Sequence, residues 1–368
     1  MLLAGGCVVQ AEGAGVVRGA PPPAPATSAS ASASASAPTA EPGQAPPAQP
    51  GRRDDGALAQ SPPIVATSAA WSRAQSAPVA RSYLSAAVLG SRIYVTGGGT
   101  DEERSEGNIY RATARLDILD TKTGTWTTGA SAPTKRYSHA SAALGGKIYV
   151  VGGHSQNYEP GRLATVEMYD PATDRWQVRA SMAKPHHEPA LAAFDGKLYV
   201  FGGEDGPNYL SSVERYDPAT NAWTPRADMP RRRKGGTAAV LGDRIYLFGG
   251  ISGNDGIMIE AVDVYDPRAD RWSTAATTMR NSRWMGTAST IGSAIIIAGG
   301  ARRGGTTYVR EVEVFDAATS SWSTVATLPS DRGNHAAAVV DHRLYLIGGC
   351  RSGCNQKIPE IDVLSFGR

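Results

Sequence analysis

Basic and acidic side chains recur in this sequence about fifty residues apart, at equivalent places where they could bind a charged ligand. The basic positions are Arg81, Arg136, His186, Arg233, Arg283 and Arg332. The acidic positions are Asp117, Glu167, Glu214, Asp263, Glu313 and Asp362. An arginine can grip a carboxylate through two hydrogen bonds, so the basic positions could hold an anion. The repetition also fits a structural device in which the acids neutralise the bases, and both interpretations stay open.

Residues that depart from this period are better candidates for specific chemistry, because ligands are rarely six-fold symmetric. His187, Glu188 and Glu204 could act as acid and base on a sugar. His154, His187 and Glu204 also have the side-chain types of a metal site, but no short fixed spacing joins them. We therefore expect no metal and no other cofactor. The predicted ligand-binding residues are Arg81, Arg136, His154, His187, Glu204, Arg233, Lys234, Trp284, Arg302 and Arg332.

Short apolar runs that end in a glycine pair must position these side chains. The runs IYVTGG, IYVVGG, LYVFGG, IYLFGG, IIIAGG and LYLIGG end at Gly98, Gly153, Gly203, Gly250, Gly300 and Gly349. Tryptophans recur with the same period, at Trp71, Trp126, Trp176, Trp223, Trp272 and Trp322. Each unit divides into four short strands, a to d. The glycine pair ends strand b, because glycine turns with positive φ at little cost.

The start of strand a and the residue after the glycine pair should lie on one side of the molecule, because strands a and b are antiparallel. We call this side the loop face. After the glycine pairs come Gly99, His154, Glu204, Ile251, Ala301 and Cys350. Just after the basic positions come Tyr83, Tyr137, His187, Lys234 and Trp284. Cations for a carboxylate and rings for an apolar surface suit an anionic sugar or an acidic peptide.

The period, the glycine pairs and the spaced tryptophans resemble the kelch repeat. This resemblance implies an all-β, six-bladed β-propeller over residues 66–368, with four antiparallel strands per blade. Trp71 precedes the first glycine pair, and no tryptophan follows the last unit. We therefore expect the N-terminal segment to supply strand d of the last blade and to close the ring.

The kelch resemblance implies little about function, because such propellers include adaptors, carbohydrate oxidases and sialic acid epimerases. The chain lacks the cysteine placed to crosslink a tyrosine in the seven-bladed galactose oxidase. It is similar to the six-bladed epimerases in blade number and export only. Kelch adaptors use arginines from the start of strand a to grip acidic peptides.

The N-terminal region predicts an exported protein. Residues 1–19 resemble the end of a bacterial lipoprotein signal peptide, with small residues leading to Cys7 as the lipid-bearing residue. Residues 20–65 are rich in Pro, Ala and Ser and predict a disordered tether. Cys350 and Cys354 share one loop, and we expect them to form a disulfide in an oxidising compartment. The predicted location is the cell envelope or the exterior.

Composition excludes other function classes. The net charge of +3 is too small to argue for nucleic acid, and contact with a membrane is expected only through Cys7. We predict a monomeric, non-enzymatic binding module that holds an acidic glycan, peptide or protein on its loop face. The alternatives are a mutarotase or epimerase of an acidic sugar, and a protein-interaction adaptor.

Overall fold

A computed structural model describes residues 71–101, 111–155, 161–253, 256–354 and 356–367. These residues form six four-stranded antiparallel sheets, arranged as the blades of a propeller. The a strands of neighbouring blades contact each other in a closed cycle of six and so surround a central axis. The six-bladed propeller predicted from the sequence is confirmed. None of the described residues belongs to a helix long and apolar enough to span a bilayer.

Each blade contributes its strands a, b, c and d from the axis outward, and most strands have five residues. Blades 1 to 3 contain Ser85–Leu89, Arg92–Thr96, Leu116–Asp120 and Thr125–Thr128, then Ala140–Leu144, Lys147–Val151, Val166–Asp170 and Arg175–Arg179, then Ala190–Phe194, Lys197–Phe201, Val213–Asp217 and Ala222–Arg226. Blades 4 to 6 contain Thr237–Leu241, Arg244–Phe248, Ala261–Asp266 and Arg271–Thr278, then Thr287–Ile291, Ala294–Ala298, Glu311–Asp316 and Ser321–Thr327, then Ala336–Val340, Arg343–Ile347, Ile361–Ser365 and Trp71–Ala74.

Shorter elements lie in the loops between strands b and c. They are the hairpins of Gly99–Thr100 with Arg111–Ala112, Ile251–Ser252 with Ile257–Met258, and Cys350–Arg351 with Gln356–Lys357, and the 3-10 turn Ser352–Cys354. These hairpins stand on the loop face and give the blades different surfaces.

The ring closes as the sequence predicts. Trp71–Ala74 pairs antiparallel with Ile361–Ser365, so that Trp71 lies opposite Leu364 and Arg73 opposite Asp362. Lys357 of blade 6 also forms an ion pair with Asp101 of blade 1, so the last blade is joined to the first. The first and last described strands therefore share one sheet, which removes two exposed strand edges.

The glycine pairs join each blade to the next. In the pair that ends strand b of blade 3, the Gly203 nitrogen donates to the Arg233 carbonyl of blade 4 at 2.8 Å. A Cβ atom on Gly202 would lie 2.3 Å from that same carbonyl oxygen. Only glycine permits this approach, so the glycine pair is required by the joint between blades as well as by its positive φ.

The core lies between neighbouring sheets. Tyr199 and Phe201 of blade 3 pack against Ile245, Leu247 and Tyr265 of blade 4, and all five side chains are buried. In five of the six blades, the indole of the strand d tryptophan donates to a carbonyl near the end of strand d of the preceding blade, as Trp223 does to Ala180 at 2.8 Å. The apolar side chains on both faces of strand b are buried against the neighbouring blades, and this burial holds the blades together.

Candidate functional site

The six basic positions identified in the sequence are buried inside the blades. In blade 1 the Arg81 side chain is fully buried, and its Nη2 donates to Asp117 Oδ2 at 2.6 Å. Its Nη1 donates to the Gly97 carbonyl at the end of strand b. The same pairing recurs in every blade: Arg136 with Glu167, His186 with Glu214, Arg233 with Asp263, Arg283 with Glu313 and Arg332 with Asp362.

This geometry supports the structural interpretation of the periodic charges. The guanidinium groups of Arg81, Arg136, Arg233 and Arg332 are at most 1% exposed, so a ligand on the loop face cannot reach them. Burial lowers the pKa of Arg81 to about 10 despite the opposing charge of Asp117, and the group stays charged at neutral pH. We therefore leave these four arginines out of the candidate site.

The loop face is built as the sequence predicts. The residue after each basic position pairs with the residue after the glycine pair of the same blade, as in His187 with Glu204 and Tyr137 with His154. One assignment needs correction. In blade 1 the paired residue is Ser82, which bridges to Gly99, whereas Tyr83 lies one position further along.

A cluster of charged and aromatic side chains joins blades 2, 3 and 4 on this face. Glu204 accepts hydrogen bonds from Arg162 Nε, at 3.0 Å, and from the Lys234 ammonium. That ammonium lies 3.8 Å from Glu188 Oε2 and 5.5 Å from the centre of the Tyr209 ring. We call these residues, with His154 and His187, the ion cluster. Its opposite charges neutralise each other within the protein.

The histidines of the ion cluster pack edge to face beside Tyr137. The His154 and His187 ring centres are 5.4 Å apart, and each lies within 6.0 Å of the Tyr137 ring centre. His187 Nε2 is 3.8 Å from Glu188 Oε1. His154, His187 and Glu204 therefore lie close together on the loop face.

Burial sets the protonation states in the ion cluster. It lowers the pKa of His187 to about 3, with the Lys234 charge adding to the effect, so this imidazole is neutral at pH 7. Burial raises the pKa of Glu188 to about 7, although Lys234 opposes the shift. Burial would also raise the pKa of Glu204, but hydrogen bonds from Lys234 and Arg162 outweigh it and lower that pKa. The cluster thus combines a firmly ionised carboxylate with one that titrates near neutrality.

A pocket of about 330 Å³ lies between the loops of blades 4 and 5. Its walls include Trp284, Ile251, Met258 and Arg303. Ile251 and Met258 lie opposite each other in the blade 4 hairpin. Ile257 of the same hairpin is 54% exposed, which is unusual for a large apolar side chain. The pocket therefore offers apolar walls with one exposed cation.

Arg302 does not line this pocket, although the sequence analysis selected it. Its Nη2 donates to Asn281 Oδ1 at 3.1 Å and lies 3.8 Å from Glu311 Oε2. Its neighbour Arg303 faces the pocket instead. The sequence identified the loop but not the residue, because loops of unequal length in different blades cannot be aligned position by position.

Sequence reasoning also missed a ring of residues around the axis. Two positions after each basic residue come Tyr83, Ser138, Glu188, Gly235, Met285 and Asn334, all with φ between 52° and 63°. Five successive hydrogen bonds from the nitrogen of one to the carbonyl of its neighbour link these six residues around the axis, as from Glu188 to Ser138 at 3.0 Å. We call them the axial ring. The constant two-residue offset was the available signal, although the side chains share no chemistry.

Cys350 and Cys354 form a disulfide in the blade 6 loop, as predicted. Asn334 Nδ2 donates to both sulfur atoms, at 3.3 and 3.1 Å. This bond therefore fixes the loop against the axial ring. Cys7, the 1–19 segment and the 20–65 tether lie outside the described residues.

Comparisons with known proteins agree with this architecture. The model of the KLHDC2/KLHL20/DRC7 Kelch-repeats domain matches residues 65–188 and 181–349. Kelch-like protein 25 of Rattus norvegicus and of Mus musculus are each 40% identical over 72 residues, which is 20% of this chain and 11% of theirs. The solved structure of YjhT has a TM-score of 0.67 at 18% identity and covers 78% of this chain and 95% of its own. Since the family model matches most of the propeller, the chain belongs to the Kelch-repeat family.

Proposed function

We propose that this propeller is a binding module that holds an acidic segment of a protein partner in the pocket between blades 4 and 5. The observation that carries the proposal is Arg303, an exposed cation on the wall of a pocket formed by Trp284, Ile251 and Met258. An arginine beside an aromatic ring and aliphatic walls suits a carboxylate flanked by apolar side chains.

Charge pairing supports binding at this pocket over binding at the ion cluster. Glu204 already receives Arg162 and Lys234, so those cations are committed within the protein. The charged part of a ligand would have to displace Glu204 to reach them. Arg303 is exposed at the pocket, and no described residue forms an ion pair with it.

Binding of the full-length protein to arrays of acidic peptides and acidic glycans tests this function. Arg303→Ala should lower the affinity for the tightest-binding peptide about tenfold or more, since it removes the cation that pairs with the ligand carboxylate. Arg175→Ala is the matched control, because Arg175 is exposed at the start of strand d, near the face opposite the pocket. Raised salt should weaken binding by screening. Capture of glycans alone, or equal loss in both variants, would contradict the proposal.

Catalysis on an acidic sugar is the second candidate, and the approach of Glu188, His187 and Lys234 within 3.8 Å favours it. A carboxyl group with a pKa near 7 can donate and accept protons at neutral pH. Exchange between the anomers of an acidic sugar, followed by NMR, tests this function. Glu188→Gln should abolish any acceleration that the protein produces.

Export is part of the proposal. The buried Cys350–Cys354 disulfide is compatible with an oxidising compartment. Lipid attachment at Cys7 remains a prediction, and metabolic labelling with a fatty acid in wild type and Cys7→Ser tests it.

A further inference from the structure

The axial channel carries polar atoms that the protein itself does not satisfy. Two residues of each blade line a cavity of about 100 Å³: Tyr83, Leu84, Ser138, His139, Glu188, Pro189, Gly235, Gly236, Met285, Gly286, Asn334 and His335. Ser138 Oγ, Glu188 Oε2 and Asn334 Oδ1 are buried and have no hydrogen-bond partner among the described residues. Ser138 and Asn334 are each 7% exposed. Leaving such atoms unsatisfied is costly.

The three orphaned oxygen atoms share one chemistry, because each has a free lone pair. Asn334 is held with this oxygen available, since its Nδ2 donates to the two disulfide sulfurs. Glu188 Oε2 lies 3.8 Å from the Lys234 ammonium, beyond hydrogen-bond distance, because that ammonium binds Glu204. Carboxylate, amide and hydroxyl oxygens are the ligands that hard cations prefer.

We propose that the axial channel binds a partly hydrated hard cation, with Glu188, Asn334 and Ser138 supplying its protein oxygens. The cavity has room for the ion with several of its waters. The imidazoles of His139 and His335 also line the channel, and their Nδ1 atoms likewise have no hydrogen-bond partner among the described residues. The described residues contain no group of three carboxylate, imidazole or thiol ligands. One carboxylate therefore gives weak binding, on the order of millimolar for Ca²⁺.

Thermal unfolding of the full-length protein with Ca²⁺ tests this site. In about 10 mM CaCl2, compared with NaCl at equal ionic strength, the melting temperature should rise by about 2 to 4 °C. Glu188→Gln should lose this rise. Glu311→Gln should keep it, because Glu311 is a half-exposed carboxylate on the same face but outside the channel. No rise in wild type, or an equal rise in Glu188→Gln, would overturn the proposal.

A gain of affinity provides a second test that does not depend on losing Glu188. Asn334→Asp adds a carboxylate to the channel in a residue type that tolerates positive φ. If the ion binds there, this variant should bind Ca²⁺ about tenfold more tightly by calorimetry. Crystals grown with CaCl2 should show channel oxygens about 2.3 to 2.6 Å from a central peak. Distances near 2.8 Å would indicate water alone and would refute a cation site.

Discussion

Removing one partner of a buried ion pair should unfold the propeller far more readily than removing an exposed charge. Arg332→Met is the sharpest case, because Arg332 and Asp362 lie in the blade that contains the seam. The guanidinium Nη2 donates to Asp362 Oδ2 at 2.6 Å. Its Nη1 donates to three carbonyls, at distances from 2.9 to 3.1 Å.

The loss of stability in Arg332→Met follows from the buried polar groups that lose their partner. Asp362 keeps only Arg73, at 3.5 Å, whose side chain is 62% exposed, so the carboxylate stays buried with weak compensation. Breaking a buried pair in this way costs about 3 to 5 kcal/mol. Three carbonyls also lose a hydrogen-bond donor, but the range of about 3 to 5 kcal/mol for breaking buried ion pairs already includes part of that cost. We therefore expect a loss of about 4 kcal/mol.

Urea unfolding of wild type, Arg332→Met, Asp362→Leu and the double variant measures this coupling. The double variant should be more stable than either single variant, because no unpaired charge remains in the sheet. Arg302→Ala serves as the exposed control and should change stability by less than about 0.5 kcal/mol. A cost below about 1 kcal/mol for Arg332→Met would refute the structural role and return the buried arginines to the list of ligand contacts.

Three further outcomes are expected. Gly203→Ala should cost about 2 kcal/mol or more in a thermal melt, since its Cβ would lie 2.7 Å from the His187 carbonyl oxygen at a φ of 93°. Replacing Cys350 and Cys354 by Ser should cost about 2 kcal/mol, as their short loop implies, and should leave peptide binding in the Arg303 pocket intact. His335, whose pKa is lowered to about 3 mainly by burial, stabilises the fold above pH 6.5 and loses this contribution as the pH falls. Between pH 7.5 and 4.5, in buffer with a chelator, the free energy of unfolding in urea should fall by about 2 to 3 kcal/mol more in wild type than in His335→Gln.

The sequence is sufficient to predict the fold because the period, the glycine pairs and the tryptophans each reflect a contact repeated from blade to blade. The donation from Gly203 to the Arg233 carbonyl and the indole bond of Trp223 are two such contacts. Closure is also predictable, since Trp71 is a strand d residue that precedes the first glycine pair.

The site is less predictable, because its residues lie in loops that cannot be aligned between the repeats. Arg303 and Ile257 occupy loops of unequal length, so no comparison between blades identifies them. The sequence also could not show whether the basic positions bind a ligand or pair with acids inside the protein, but for a different reason. An arginine that binds a ligand carboxylate and one that binds Asp362 have the same side chain, and only burial separates them.

His186 shows that the propeller tolerates a different residue at one of the repeated basic positions. Its Nδ1 hydrogen-bonds the Gly202 carbonyl and its Nε2 lies 3.1 Å from Glu214 Oε1, which reproduces two contacts of an arginine. The Ala183 nitrogen donates to the other oxygen of Glu214 at 3.0 Å and replaces the donor that the shorter side chain lacks. The structural requirement at this position is therefore one nitrogen close to the strand b carbonyl and one close to the acid, which a side chain other than arginine can also supply. A residue that meets both requirements is free to differ, whereas the loop residues between strands b and c carry no such requirement and can vary from blade to blade.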